Sequence, residues 1–413
     1  MHSPDDGTPL HSPWQVFWIF LRLGLTSFGG PVAHLGYFRD EFVLRRQWLT
    51  ERSYADLVAL CQFLPGPASS QVGMALGLLR SGLPGALAAW LGFTLPSALA
   101  LAVFGLGLAS GSTFLNAGAL HGLKVVAVAV VAQAVWGMAR TLCVGWVRAT
   151  LMLLAACAVL WWPGVWAQVG VMLVAGAAGW GLFGRGGAAV PANAPSLASD
   201  GLHVPVRRRT GAALLLLFAA LLVLLPLAVQ LWPGALLALF DAFYRVGALV
   251  FGGGHVMLPL LQAVVVPPGW VSADTFLAGY GATQAVPGPL FTFAAFLGAA
   301  MAPWPGGWLG ALVCLVAIFV PSFLLVVGTL PFWERLRRNA HAQAALAGVN
   351  AAVVGLLLAA LVHPVGSSAI LGAADAGLAL LAFVALVVWR VPPWAVVLAC
   401  GVGGAVLAHW DRF

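Results

Sequence analysis

Arg22-Leu23-Gly24-Leu25-Thr26-Ser27-Phe28-Gly29-Gly30 sets a permanent cation and a glycine break inside an apolar segment. The chain writes the same pattern again as Arg245-Val246-Gly247-Ala248-Leu249-Val250-Phe251-Gly252-Gly253. Arg, Gly, Phe, Gly and Gly recur in register, 223 positions apart. Beyond each copy lies a second shared break, Gln62-Phe63-Leu64-Pro65-Gly66-Pro67 and Gln284-Ala285-Val286-Pro287-Gly288-Pro289. Two buried cations and two pairs of broken helices point to one central site built by two halves.

Composition places these breaks in a bilayer. Of 413 residues, 62% are hydrophobic and 8% are charged, where a soluble domain carries about a quarter charged residues. Repeated apolar runs of about 20 residues are long enough to span. Many of the 18 Trp stand near segment ends, among them Trp161, Trp162, Trp166, Trp232, Trp304 and Trp308, as in an aromatic belt. The net charge of +7 comes from cations in short loops or alone in apolar segments, so no nucleic-acid face is expected. The opening residues lack the basic stretch and short apolar core of a secretory signal. The five Cys, without CxxC spacing, read as small buried hydrophobes. No disulfide, metal site or cofactor is expected.

The expected organisation is a first transporter half at 1–183, a cytoplasmic linker at 184–210, a connecting transmembrane helix at 211–234 and a second half at 235–413. Broken segments are expected at 14–38, 53–80, 236–264 and 272–302. Plain segments are expected at 84–109, 119–140, 149–163, 165–183, 211–231, 305–330, 341–362, 369–389 and 391–409. The repeat extends past the breaks. Trp48 matches Trp270, Phe93-Thr94-Leu95-Pro96-Ser97 matches Ile318-Phe319-Val320-Pro321-Ser322, and Lys124 falls opposite Asn350.

Loop charge sets orientation. Loop 39–52 is strongly basic and its counterpart at 262–272 has no Lys or Arg. Arg335, Arg337 and Arg338 lie in a loop whose counterpart, 110–118, is uncharged. By the positive-inside rule the halves are upside down to each other. The fold class expected is an all-α polytopic membrane protein of two inverted-topology homologous halves with broken, re-entrant helices. Nine plain segments then span and four broken ones re-enter. Arg140, Arg148, Arg185, Arg207, Arg208, Arg209 and Arg390 fall with them on the cytoplasmic side. The same count leaves room for a version in which the first broken segment spans.

The breaks carry the expected chemistry. A residue before proline avoids the α region, so Leu64 and Gly66 interrupt the helix. Pro67 then reads as the start of a half-helix whose N–H groups at Ala68, Ser69 and Ser70 point into the break. Such a terminus has free donors and partial positive charge, which suits an anion. Pro289 starts the matching half-helix, with Thr292 in the place of Ser70. Gly29 and Gly30, and Gly252 and Gly253, make similar openings. A single kink that only shapes packing is the bland alternative; four breaks in register weigh against it.

Arg22, Arg245 and Lys124 lie within apolar segments, and a charge there needs a partner. A bound anion is the simplest one. The competing readings are snorkelling for the two arginines and a salt bridge for Lys124. Asp56, Asp241, Asp274 and Asp375 are the acids within reach of such segments. His34 and His255 flank the glycine breaks as proton-coupling candidates or as hydrogen-bonded packing residues. Gln62, Gln284 and Asn350 offer amides, and with Pro65, Gly66, Pro67, Ser69, Ser70, Pro287, Gly288, Pro289 and Thr292 they complete the substrate-binding set. A Walker loop, HExxH and a serine elbow are missing, so no enzymatic chemistry is expected.

The Phe28-Gly29-Gly30-Pro31 break before a basic loop, the Pro65-Gly66-Pro67 break, and their recurrence as Phe251-Gly252-Gly253-Gly254 and Pro287-Gly288-Pro289 resemble the chromate ion transporter family. Length and the two fused halves look like its long-chain, bidomain members, from about residue 14 to 409. The resemblance implies secondary active efflux of chromate, a sulfate-like tetrahedral oxyanion, across the bacterial inner membrane. It also implies the proton-motive force as driver, chromate resistance as outcome and a multi-pass location. The partners implied are the oxyanion and the lipid bilayer, with a homodimer left open. A sulfate or other oxyanion transporter, or an anion channel, would use the same scaffold. Gly254 in place of Pro31 and Asn350 in place of Lys124 depart from exact repetition.

Overall fold

The computed structural model describes residues 12–111, 117–183, 206–336 and 339–410. Among them all regular structure is helical. Arg185, Arg337, Arg338, the linker up to residue 205 and positions 112–116 lie outside the described residues.

The first half runs α1 (Pro13–Thr26), α2 (Gly30–Arg39), a π-helical turn (Asp40–Arg45), α3 (Glu51–Phe63), α4 (Ala68–Ala109), α5 (Ala117–Leu142), α6 (Trp146–Trp161) and α7 (Val165–Phe183). Helix α8 (Arg208–Leu231) connects the halves. The second half runs α9 (Ala235–Leu249), a 3₁₀ turn (Gly254–Val256), α10 (Met257–Val265), α11 (Ala273–Thr283), a 3₁₀ turn (Leu290–Thr292), α12 (Phe293–Ala300) and α13 (Trp308–Thr329). It closes with α14 (Trp333–Leu336), α15 (Ala340–Ala360), α16 (Ser367–Ala369), α17 (Ala373–Val387) and α18 (Pro393–Trp410).

Local chemistry explains the boundaries. Ser12 and Gln15 form a capping box before Pro13, which sits where its missing N–H costs nothing. Thr50 caps α3 by accepting from Ser53 N, and Ser272 caps α11 by accepting from Thr275 N. These two caps are repeat partners. Helix α4 is two helices joined at a kink, where Ser81 and Gly82 leave helical geometry just before Pro84. This is the boundary expected between residues 80 and 84. Helix α8 takes in Arg208 and Arg209 ahead of the expected 211–231 segment and ends with it at Leu231.

Among the described residues six helices are long and apolar enough to cross a bilayer, within α4, α5, α7, α8, α13 and α15. The remaining expected spans form α6, α17 and α18, which are shorter apolar helices. The chain is a multi-pass membrane protein. Trp161, Trp162, Trp166, Trp232, Trp304 and Trp308 are all exposed, as a belt requires. Cys157 is also exposed, against the expectation that every cysteine is buried, because its face of α6 points outward.

The halves interlock. Helix α5 packs on α17 and α18 of the other half, and its counterpart α15 packs on α6 and α7. Close contact comes from glycine: a Cβ on Gly122 would collide with the Cys400 carbonyl, and one on its counterpart Gly348 with the Ala175 carbonyl. Likewise Gly24 of α1 abuts the Gly92 and Phe93 carbonyls, and Gly247 of α9 abuts the Ile318 carbonyl. Lipid tails are as apolar as leucine, so such backbone approach, not exclusion of water, holds membrane helices together. The repeat is therefore present in backbone contacts as well as in sequence.

Candidate functional site

Each half breaks its first helix in the same way. After α1, Ser27 is extended, and Gly29 and Gly30 take φ of +100° and +78°. After α9, Val250 is extended, and Gly252 and Gly253 take φ of +77° and +136°. Extension at Ser27 and Val250 turns their carbonyls off the helix axis. At the second break Gly66 and Gly288 have φ of +121° and +102°, which favours glycine.

The breaks are joined across the halves. Gly66 N donates to Val250 O at 2.7 Å, and Gly288 N donates to Ser27 O at 2.9 Å. A Cβ on Gly66 would strike Ser322 Oγ, and one on Gly288 would lie 2.8 Å from Ser97 Oγ. Every partner in the first set is the repeat counterpart of its partner in the second. Such reciprocal contact requires a two-fold relation. The axis passes by Pro31 and Gly254, which are counterparts of each other and adjoin: a Cβ on Gly254 would lie 3.5 Å from Pro31 Cγ. Non-helical backbone at membrane depth is thus satisfied inside protein.

Polar side chains ring this junction. His34 is buried, with Nε2 3.2 Å from Ser27 O and Nδ1 3.4 Å from Ser69 Oγ. A carbonyl only accepts, so Nε2 carries the proton and Nδ1 accepts from the serine. Gln71 Nε2 donates to Pro65 O at 2.6 Å. Left without a partner and out of contact with the surface are Ser27 Oγ, Ser70 Oγ, Gln71 Oε1 and Ser322 Oγ. Buried polar groups normally have partners, and these four atoms have none. The helix beginning at Ala68 adds its first N–H groups, because these have no acceptor within the helix.

Pro67 caps that helix rather than occupying its first position. Pro289 opens onto a 3₁₀ turn, and Thr292 spends its hydroxyl on Pro289 O at 2.7 Å. His255 bonds Tyr280 Oη through Nδ1 at 2.8 Å. Gln62 faces outward, whereas Gln284 Nε2 and Asn350 Oδ1 are enclosed without partners.

Two of the three cations are paired with carboxylates. Arg245 pairs with Asp241 at 2.7 Å, four residues back on α9, and sits over Trp166. The pair lines a cavity of about 330 Å³ with Trp166, Val229 and Trp270. Lys124 pairs with Asp274 at 2.9 Å. Carboxylates therefore hold the charges for which a bound anion was the simplest expected partner. Arg22 is exposed, and the position that would supply its acid is Trp18, where Arg245 has Asp241.

The family described as chromate transporter matches residues 14–180 and again 237–405. The chain belongs to the chromate transporter family. It is 30% identical over 363 residues to a chromate transport protein of Pseudomonas aeruginosa, covering 84% of this chain and 80% of that one. A probable chromate transport protein of Synechococcus elongatus is 29% identical, covering 86% and 85%. A chromate transport protein of Cupriavidus metallidurans is 28% identical, covering 86% and 83%. No solved structure matches the chain.

In this chromate transporter family member the two matched regions coincide with the two halves that meet at Gly66 and Gly288. Ser27, Gln71, Ser97 and Ser322 were not among the expected site residues. Ser97 and Ser322 carried a signal, since both stand one residue after the repeated proline. Gln71 has no repeat signal, because Phe293 occupies its counterpart position.

Proposed function

We propose that the chain exports chromate, or a tetrahedral oxyanion of the same shape and charge, from the bacterial cytoplasm across the inner membrane. The observation that carries this is the reciprocal bonding of Gly66 to Val250 and Gly288 to Ser27. It gathers four helix breaks and a set of unpartnered hydroxyls at one junction. Paired broken helices at a repeat interface are where secondary transporters bind ions. The donors are uncharged: the Ser27, Ser70 and Ser322 hydroxyls and the N–H groups opening the 68–80 helix. Gln71 Nε2 is held by Pro65, which rigidifies the bend. Hydroxyls and backbone N–H groups suit a tetrahedral guest, because each oxygen accepts several bonds and no side chain must first be neutralised.

Export is downhill for such a guest. An inside-negative potential is worth about 2.3 kcal/mol per charge per 100 mV, so a dianion gains about 4.6 kcal/mol on leaving. Voltage or proton exchange can drive the cycle. His34, bonded to both Ser27 and Ser69, is the residue through which a proton would reach the junction. The proposed arrangement is inverted, with the first pair of breaks reached from the cytoplasm and the second from outside.

The test is radiolabelled chromate uptake into inverted membrane vesicles, with and without an imposed proton gradient. Saturable uptake above that of vesicles lacking the protein is expected. Its absence overturns the proposal, and flux that neither saturates nor responds to counter-flow points to a channel.

A further inference from the structure

Lys124 and Asp274 do more than neutralise each other: they close one helix of the second half onto one of the first. Helix α11 lies along α5, with Gly281 against the Leu123 carbonyl and Leu277 buried. Lys124 on α5 then meets Asp274 in the first turn of α11. The repeat makes α3 the counterpart of α11, and α15 the counterpart of α5. That second closure is not made. Arg52, Ala55, Ala59 and Gln62 stand on one face of α3, at helical spacing, and all are exposed. They are the counterparts of Asp274, Leu277, Gly281 and Gln284. On α15 the counterpart of Lys124 is Asn350, whose Oδ1 is enclosed without a partner.

Resting on the transport reading above, we infer that Lys124–Asp274 is one of two alternating latches, and that the other is Arg52 on Asn350. The donor and acceptor ends are exchanged between the halves. In the first latch the plain helix α5 supplies the cation and the broken segment supplies the acceptor. In the second the broken segment supplies the cation, Arg52, and the plain helix supplies the acceptor, Asn350 Oδ1. Ala55 is smaller than its counterpart Leu277 and gives α3 room to approach α15, while Ala59 carries the Cβ that Gly281 lacks and holds the two backbones farther apart than α11 and α5. Because the repeat is two-fold, closing α3 on α15 while releasing α11 from α5 gives the corresponding arrangement with the halves interchanged. Access then passes from one side of the junction to the other with no change in the bends themselves. The structure shows the state in which the α11 side is shut.

The test uses the full chain in inverted vesicles, with its five native cysteines replaced by alanine. Ala59→Cys and Val349→Cys are added, the counterparts of Gly281 and Leu123. Oxidation is expected to link the two positions within one chain and to stop chromate flux, and a reductant to restore it. Adding Asp274→Asn, which opens the existing latch, is expected to speed linking by about two- to five-fold. The inference is overturned if positions 59 and 349 do not link in a protein that still carries chromate. It is also overturned if linking leaves flux untouched, if Ala59→Cys links only between two copies, or if Asp274→Asn leaves the linking rate unchanged. Absence of chromate flux in the wild type would instead sink the transport reading, while the response of linking to Asp274→Asn still decides the latch.

Discussion

Pro65-Gly66-Pro67 and Pro287-Gly288-Pro289 are the same tripeptide in the same fold position, yet the helices they open differ. The first opens directly onto an α-helix, leaving Ser70 Oγ without a partner and placing Gln71 over Pro65. The second opens onto a 3₁₀ turn whose Thr292 hydroxyl is already bonded, followed by Phe293 in a cluster with Phe276 and Phe296. The surroundings follow the same division. Helices α10 and α11 are largely buried, while α2 and α3 keep exposed faces. Duplication preserved the backbone path and the cross-half bonds. Side-chain divergence then left one bend polar and open and packed the other into a core.

The largest effect expected is on the backbone the bends share. Gly66→Ala places a Cβ at φ of +121° and against both Ser322 Oγ and Gln71 Nε2. Strain at such a position costs about 1–3 kcal/mol and overpacking a similar amount. Gly288→Ala meets one main obstacle, Ser97 Oγ at 2.8 Å. Both variants should melt earlier in detergent and lose flux, Gly66→Ala the more. Adding Ser322→Ala should recover part of the lost melting temperature for Gly66→Ala only, without restoring flux, because the same hydroxyl is a proposed chromate donor. Equal losses without rescue would show that the two bends are held alike.

Next in size is the contrast between the arginines. Arg245→Gln strands Asp241, whose side chain is 4% exposed. Removing one partner of a buried pair costs about 3–5 kcal/mol, reduced here because the guanidinium reaches a cavity. Arg245→Gln should therefore lower the melting temperature clearly, and Asp241→Asn with Arg245→Gln should restore it. Arg22→Gln, on an exposed side chain with no such acid beside it, should change stability by less than about 0.5 kcal/mol. Melting curves of the four proteins settle the matter.

How much of this could be read from the chain alone depends on the physics of each feature. The breaks at Gly29, Gly66, Gly252 and Gly288 were legible because proline and glycine act locally on backbone dihedrals. The two-half fold was legible because the breaks recur in register. What each cation touches was not, because Lys124–Asp274 joins residues far apart in sequence and Arg245 reads as held by an anion or snorkelling, with Asp241 only one of several acids within reach. Nor was the interlocking of α5 with α17 and α18. Glycine at Gly122 permits close approach but does not name the partner, and the partner here lies in the other half. Gln71 escaped notice because a residue used by one half only leaves no repeat.

The smallest effect expected separates ligand donor from structural hydroxyl, and bears most directly on the division between the halves. Ser70 and Thr292 are counterparts, but only Ser70 Oγ is unengaged. A hydrogen bond to a charged group is worth about 1.5–3 kcal/mol, so Ser70→Ala should raise the KM for chromate by about ten-fold or more, with little change in melting temperature. Thr292→Val removes a bond made within the turn, worth about 1 kcal/mol, and should lower the melting temperature while leaving KM unchanged. Each position moves a different measurement and leaves the other in place, so general damage cannot imitate the result. If Thr292→Val raised KM and Ser70→Ala did not, the open bend and the packed bend would have been assigned the wrong way round. The guest would then sit on the second half's side of the axis.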